Sequence, residues 1–477
     1  MLEITTPAFK EAGREALADP HLQAALTKLR TGFGTMRANA IAQLPEFDDF
    51  RDAARDLKDH TLEHLDYYLE LYERNATAAG VTVHWAADAR EAREIVGGLC
   101  KAVGARRIAK GKSMISEEIA LNPYLEALGY TVGETDLGEY IIQLADERPS
   151  HIIGPAIHKT VDQVADLFFE HHAPLGKTKR LDTIPELVAE ARDVLRDGYF
   201  ESDVGITGAN FLIAETGSIS IVTNEGNGDL TQGLCRTHIV LASLEKVVPS
   251  LDDMALILRL LARSATGQEM AAYTSVTTGP RRAGESDGPE SVHVVLVDNG
   301  RSAMLGTPLQ DVLRCIRCGS CMNHCPVYGA VGGHAYGWVY PGPIGAVMTP
   351  AMIGIEKGRH LPNASTFCGR CEEVCPMHIP LPRMMRYWRS KEFEAGLPPA
   401  RQRAWLALWA WLAQHPAAYR LATGVAMRAL RLLAGGRGRI TSAPLAGGWT
   451  GGRDLPAPEG ASFQAQWSAR GGSRGRS

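Results

Sequence analysis

Seven of the nine cysteines fall between positions 315 and 375, in two runs that each end in proline. The first, "CIRCGSCMNHCP" at 315–326, follows C-x2-C-x2-C-x3-C-P; the second, "CGRCEEVCP" at 368–376, is a shortened copy. Clustering this tight points to metal rather than to a disulfide framework. A cubane cluster needs thiolates from several directions, and C-x2-C-x2-C supplies three from one loop. In two-cluster ferredoxins the cysteine before the proline serves the other cluster. That rule assigns Cys315, Cys318, Cys321 and Cys375 to one 4Fe–4S cluster, and Cys325, Cys368 and Cys371 to a second. The missing fourth position, three residues before Cys368, is Ser365. Its iron is left to Ser365, to water or to a partner's ligand, or is absent, which makes a 3Fe–4S centre.

Zinc also uses C-x2-C pairs in tetrahedral sites, but the three-residue rhythm and the proline after each last cysteine fit zinc poorly. His324 and His378 adjoin the thiols and read as supporting or solvent-facing groups. Cys100 and Cys235, outside the runs, read as buried side chains without chemistry. Paired ferredoxin motifs suit electron conduction; a purely structural role is the plainer alternative. Arg314, Arg317 and Arg370 lie near the thiolates and would raise a potential, while Glu372 and Glu373 oppose them, so the net effect stays open.

At 477 residues the chain suits roughly three domains. Its 45% hydrophobic and 22% charged residues are ordinary for a globular fold. A formal charge of −4 and scattered Lys and Arg exclude a nucleic-acid footprint. The amino terminus has no apolar run of the secretory kind, and the expected location is the cytoplasm. The most apolar stretch, "AWLALWAWLA" at 404–413, is too short to span a bilayer, which takes about 20 residues. With Trp405, Trp409 and Trp411 it reads first as core, then as a partner surface or a membrane-surface anchor.

The pattern along the chain predicts helices over 20–44 and 47–80, then alternation: strands at 81–86, 106–111 and 130–136, helices at 88–104 and 116–129. "HIIGPAIH" at 151–158 continues the alternation, followed by helices near 160–172 and 185–198. A strand pair within 209–228 turns at Gly217–Ser218, and strands at 237–248 and 293–300 bracket a helix at 251–266. Such alternation argues for a layered α/β sheet. The expected domains are a helical lead-in (1–59), an α/β domain (60–300), a mostly α-helical ferredoxin-type domain (301–395), and a helical segment with a tail (396–477) whose last stretch, 468–477, reads as disordered.

Polar, glycine-containing stretches at 110–118, 134–144, 154–160, 205–218 and 223–228 sit near predicted strand ends, where open α/β sheets place ligands. Each alone reads equally as a turn or a helix cap, Gly205, Gly208, Gly217, Lys112 and Ser113 included. No H-E-x-x-H, nucleophile elbow or G-x-G-x-x-G is present. Lys112, Glu215 and Glu225 are the polar candidates for chemistry on a small anion or acyl thioester, and no catalytic set emerges from them.

The order "KSMISEEIALN", "ETDLGEYIIQL", "PSHIIGPAIHKT", "ITGANFLIAETGSISIVTNEGNG" and then the two cysteine runs resembles the lactate utilization protein B family of iron–sulfur proteins. The likeness extends from about residue 60 to "GWTGGRDLPAP" at 447–457. It implies a cytoplasmic electron-transfer component, rather than a stand-alone catalyst, of a three-protein complex oxidising L-lactate to pyruvate. The implied partners are a cysteine-rich iron–sulfur subunit and a second subunit with the same LUD-type domain. It further implies a three-layer α/β domain similar to the NagB/RpiA/CoA-transferase type, and a second site with three cysteines, as here. Likeness of fold does not carry an activity across.

Overall fold

The computed structural model describes residues 4–443, 446–459 and 461–473. The chain divides into two units, Met1–Glu392 and Phe393–Ser477, and all seven clustered cysteines lie in the first. Its centre is a six-stranded, wholly parallel sheet built from β1 (Thr82–Ala86), β2 (Arg107–Lys110), β3 (Thr131–Glu134), β4 (Val204–Gly208), β7 (Thr237–Ser243) and β10 (Ser291–Val297), in the order β1-β10-β7-β4-β2-β3. A parallel sheet is covered on both faces, so its inner strands read as unbroken apolar runs. Every residue of β7, "THIVLAS", is buried.

Side chains alternate along a strand. Val295 and Val297 of β10 join Val96, Cys100 and Leu125 under the helices Ala89–Ala102 and Leu121–Ala127. Val294 and Leu296 face the other way, onto Tyr72 of the helix Leu65–Ala78 and onto a second sheet. That four-stranded mixed sheet runs β8-β5-β6-β9, from β8 (Val247–Val248), β5 (Phe211–Ile213), β6 (Ser218–Thr223) and β9 (Tyr273–Thr277). The β5–β6 hairpin turns at Gly217, whose φ of +68° suits glycine.

Several elements depart from the sequence pattern for local reasons. The helix expected over 47–80 breaks at His64 into Phe47–Glu63 and Leu65–Ala78. The one over 116–129 breaks at Ala120, in the left-handed region at φ +53°. "HIIGPAIH" forms turns and no strand: the His151 ring accepts the backbone N–H groups of Ile153 and Gly154 at 3.1 and 3.2 Å, curling the segment. β9 has no counterpart in the pattern, because its partly exposed "YTSVT" carries little apolar signal.

The Gly- and Pro-rich link between the cysteine runs holds a helix, Gly342–Ile353, buried from Gly342 through Pro350. It is apolar on all sides and belongs inside. One core joins this helix to Met322 and Met384 of the cysteine segment, to Leu29 and Phe47 of the amino-terminal helices, and to Ile257. The amino-terminal helices therefore pack against the cysteine segment.

In the second unit the tryptophan-rich segment forms the helix Ala400–Gln414, which buries none of its residues. Trp405, Trp409 and Trp411 are more than half exposed, at 60, 64 and 52%, which overturns the core reading. Of the stretch expected to be disordered, 468–473 belong to the helix Phe463–Ser473, and 474–477 lie outside the described residues. Among the described residues no helix is long and apolar enough to cross a membrane.

Candidate metal centres

The two cysteine runs fold as structural copies. Gly319 and Gly369, each one residue after a cysteine, take positive φ (+70° and +81°) and start the one-turn helices Ser320–Asn323 and Arg370–Glu373. The residues before those cysteines, Arg317 and Phe367, also adopt positive φ, +60° and +53°. Non-glycine residues there are uncommon and mark a backbone held by its surroundings. In this register Ser365 corresponds to Cys315.

The fold brings together Cys315, Cys318, Cys321 and Cys375 around one small cavity, walled by Ile152, Ile344 and Leu381. A second cavity gathers Cys325, Cys368 and Cys371, with Ser365 beside them. Each set thus takes thiols from both runs. Cys318 and Cys375 are buried, while Cys368 is exposed, so the second set opens to solvent.

Burial and then the neighbouring thiols raise the pKa values: Cys375 to about 11, Cys371 to about 12, Cys321 and Cys318 further still. Buried thiols crowded together cannot all ionise unless a cation compensates them. A donor set of this chemistry fits an iron–sulfur cluster. Backbone N–H groups already point at the sulfurs: Tyr328 donates to Cys325 Sγ and Ile379 to Cys375 Sγ, both at 3.5 Å.

Side chains distant in sequence hold these loops. Arg37 donates to the Val374 carbonyl at 3.1 Å, and Arg51 to the carbonyls of Glu373 and Cys375 at 3.0 and 2.8 Å. Buried Arg317 lies 4.9 Å over the Tyr340 ring and 3.2 Å from Glu245, which also pairs with Arg301 at 2.9 Å. Arg301 pairs with Glu118 at 2.8 Å, and the Tyr340 hydroxyl donates to Glu118 at 2.6 Å. Burial opposes ionisation of Glu245, yet Arg301 and Arg317 outweigh it and pull its carboxyl down to about 2. Arg314 pairs with Asp311 and Asp59, and exposed Arg370 with Glu373.

His324 bonds the Ser320 carbonyl at 2.9 Å, His378 sits 3.4 Å from Asp52, and neither lines a thiol cavity. The buried imidazole in contact with the first loop is His151, pushed down to about 4 by burial. Neutral, it donates from Nε2 to Asn323 Oδ1 at 2.9 Å. Nothing in local spacing announces Arg37, Arg51 or His151, whose partners in the cysteine loops are 337, 324 and 172 positions away.

A larger cavity of about 300 Å³ opens at the carboxyl ends of β2, β4 and β7. Lys112, Asp136, Asn210, Glu225 and Lys246 line it, and its far wall is Arg317, Cys318 and Tyr340 of the first centre. Glu225 is pushed up by burial and by Asp136; Lys246 is lowered to about 8 by burial and by Arg317. Glu215 lies elsewhere, accepting the Leu251 N–H at 3.3 Å, so it leaves the candidate set. Cys100 and Cys235 are buried, as expected, and burial pushes their thiols up to about 12.

Comparison with known proteins places these features in a family. The LUD domain matches residues 69–297, a 4Fe-4S dicluster domain residues 311–379, and the C-terminal domain of lactate utilisation protein B residues 391–472. Lactate utilization protein B of Geobacillus thermodenitrificans is 43% identical over 97% of both chains, that of Geobacillus kaustophilus 42% over 98% of both, and that of Bacillus velezensis 40% over 97% of both. The crystal structure of a DUF162 family protein from Deinococcus radiodurans aligns with 49% of this chain and 98% of its own, at 15% identity and a TM-score of 0.27, too distant to support a fold argument. With identity at this level across nearly the whole length of its relatives, the chain belongs to the lactate utilization protein B family.

Proposed function

We propose that this chain is the electron-transfer iron–sulfur subunit of a cytoplasmic complex that oxidises L-lactate to pyruvate. Its partners in this reading are a cysteine-rich iron–sulfur subunit and a second subunit with a LUD-type domain. The observation that carries the reading is the pair of thiol sets, each drawn from both cysteine runs and lodged in one core. Cys315, Cys318, Cys321 and Cys375 would hold one 4Fe–4S cluster, and Cys325, Cys368 and Cys371 a second, either a 4Fe–4S cluster with a non-cysteine fourth ligand such as Ser365 or a 3Fe–4S centre. When bound, such clusters supply one-electron transfer.

The chain's own residues set the conditions for that chemistry. Ile152, Ile344 and Leu381 exclude water from the first set, and buried Arg317 places positive charge beside it. The exposed Cys368 leaves the second set accessible to a redox partner. The test is iron and acid-labile sulfide per chain on anaerobically purified protein, with electron paramagnetic resonance before and after dithionite. About eight irons with two reduced-state signals are expected, two cubane clusters being what the paired motifs hold. About seven, with a signal in the oxidised protein, would leave the Ser365 corner empty, and zinc in place of iron would sink the reading.

The α/β cavity favours a second reading, an enzyme acting on a small anion or acyl thioester with clusters in a structural role. L-lactate oxidation with an artificial dye separates the two: activity of the isolated chain supports the enzyme, activity only with partners supports the relay.

A further inference from the structure

The cavity above the carboxyl ends of β2, β4 and β7 lies where open α/β sheets place their ligands. Its volume of about 300 Å³ is at the small end for ligand cavities and excludes a dinucleotide. Its charges narrow the class further. Among the described residues, the Lys246 ammonium has no hydrogen-bond acceptor, although its side chain is mostly enclosed. The other enclosed lysines nearby are all engaged: Lys58 donates to the Glu245 and Val247 carbonyls, Lys110 to Glu117 and Ser116, Lys112 to the Ile153 carbonyl.

Glu245, next in sequence to Lys246, is committed to Arg301 and Arg317. An enclosed cation without an acceptor carries a desolvation cost that an anion removes. The Asn210 side-chain nitrogen is likewise without an acceptor among the described residues, since only its oxygen is used, by the Val222 N–H at 2.9 Å. Asp136 and Glu225 also line the cavity. They repel a second negative charge and accept from a hydroxyl. Monoanion, small size and a hydroxyl together describe a short hydroxycarboxylate.

We infer that this cavity binds a small hydroxycarboxylate, its carboxylate anchored by Lys246, against the Arg317–Cys318 wall of the first cysteine set. The site places such a ligand beside one metal centre while remaining within the α/β domain. The choice of L-lactate as probe rests on the function proposed above; the presence of an anion site does not.

The experiment is equilibrium dialysis of anaerobically purified full-length protein against radiolabelled L-lactate, propionate and inorganic phosphate, with the paramagnetic resonance of the reduced clusters recorded on the same samples. Saturable binding of L-lactate at one per chain is expected, with propionate, which lacks the hydroxyl, weaker. Lys246→Gln should weaken L-lactate binding by about tenfold or more, a change of about 1.4 kcal/mol. Ala271→Phe, which adds bulk at the cavity wall and removes no charge, should abolish it.

No saturable L-lactate binding to a protein with intact cluster signals overturns this inference and leaves the relay standing. Unchanged affinity in both variants moves the site elsewhere and also overturns it. Phosphate binding more tightly than L-lactate overturns the hydroxycarboxylate class. Saturable, Lys246-dependent L-lactate binding by a protein whose clusters cannot be reduced upholds the site and sinks the relay.

Discussion

Arg317 answers to three neighbours at once: the thiols of its own loop, the Tyr340 ring and the Glu245 carboxylate. Removing one partner of a buried ion pair costs about 3–5 kcal/mol. Arg317→Met is therefore expected to lower stability by about that much in anaerobic denaturant unfolding, and to shift the first centre's potential downward in redox titration. The sequence brought Arg317 into view but set it against Glu372 and Glu373 of the second cysteine run. The acid that meets it is 72 positions away, a distance no spacing argument bridges. Histidines carry a second prediction. Burial pushes His151 down to about 4 and His238 to about 3. The unfolded chain protonates both near pH 6.5, so their contribution is complete above that pH and is lost as the pH falls toward 4. Each lost proton equilibrium is worth up to about 1.4 kcal/mol per pH unit. Unfolding midpoints measured from pH 7 to 5 should fall, and His238→Gln should flatten the slope.

Among the elements, close contacts at glycine decide more than helix propensity does. A Cβ on Gly333 would overlap the Ser150 carbonyl, which also accepts from the Tyr328 hydroxyl at 2.7 Å. Gly333→Ala is expected to destabilise the protein by about 1–3 kcal/mol, the usual cost of overpacking, and to lower the thermal midpoint of the cluster-loaded protein. The strands of the parallel sheet were legible because buried strands are unbroken apolar runs, as in β7 and β10. The breaks at His64 and Ala120 were not, since each depends on what the adjoining turns pack against. The turns at 151–158 depend on a histidine ring serving as a local acceptor, and that segment's apolar letters imitate a strand.

Taken whole, the molecule keeps its chemistry within Met1–Glu392. A chain stopped after Gly396 is expected to retain the iron and sulfide per chain of the full protein, measured side by side; a drop by half would show that the carboxyl-terminal unit is needed to hold a centre. The grouping of the seven cysteines into two sets was the most legible part of this protein, because the spacing of the two runs follows a ligand chemistry that fixes both spacing and residue identity. The α/β cavity was legible only in outline: Lys112 and Glu225 belong to it, Glu215 does not, and Lys246 became visible through the fold alone. The exchange of thiols between the two runs also has a consequence in time. The second pocket possesses all its sulfurs only once Cys371 has left the ribosome, and the first only once Cys375 has. Metal loading of this chain is therefore a late event that follows synthesis of the whole span, and a translation product halted before that point would offer iron only half-made sites.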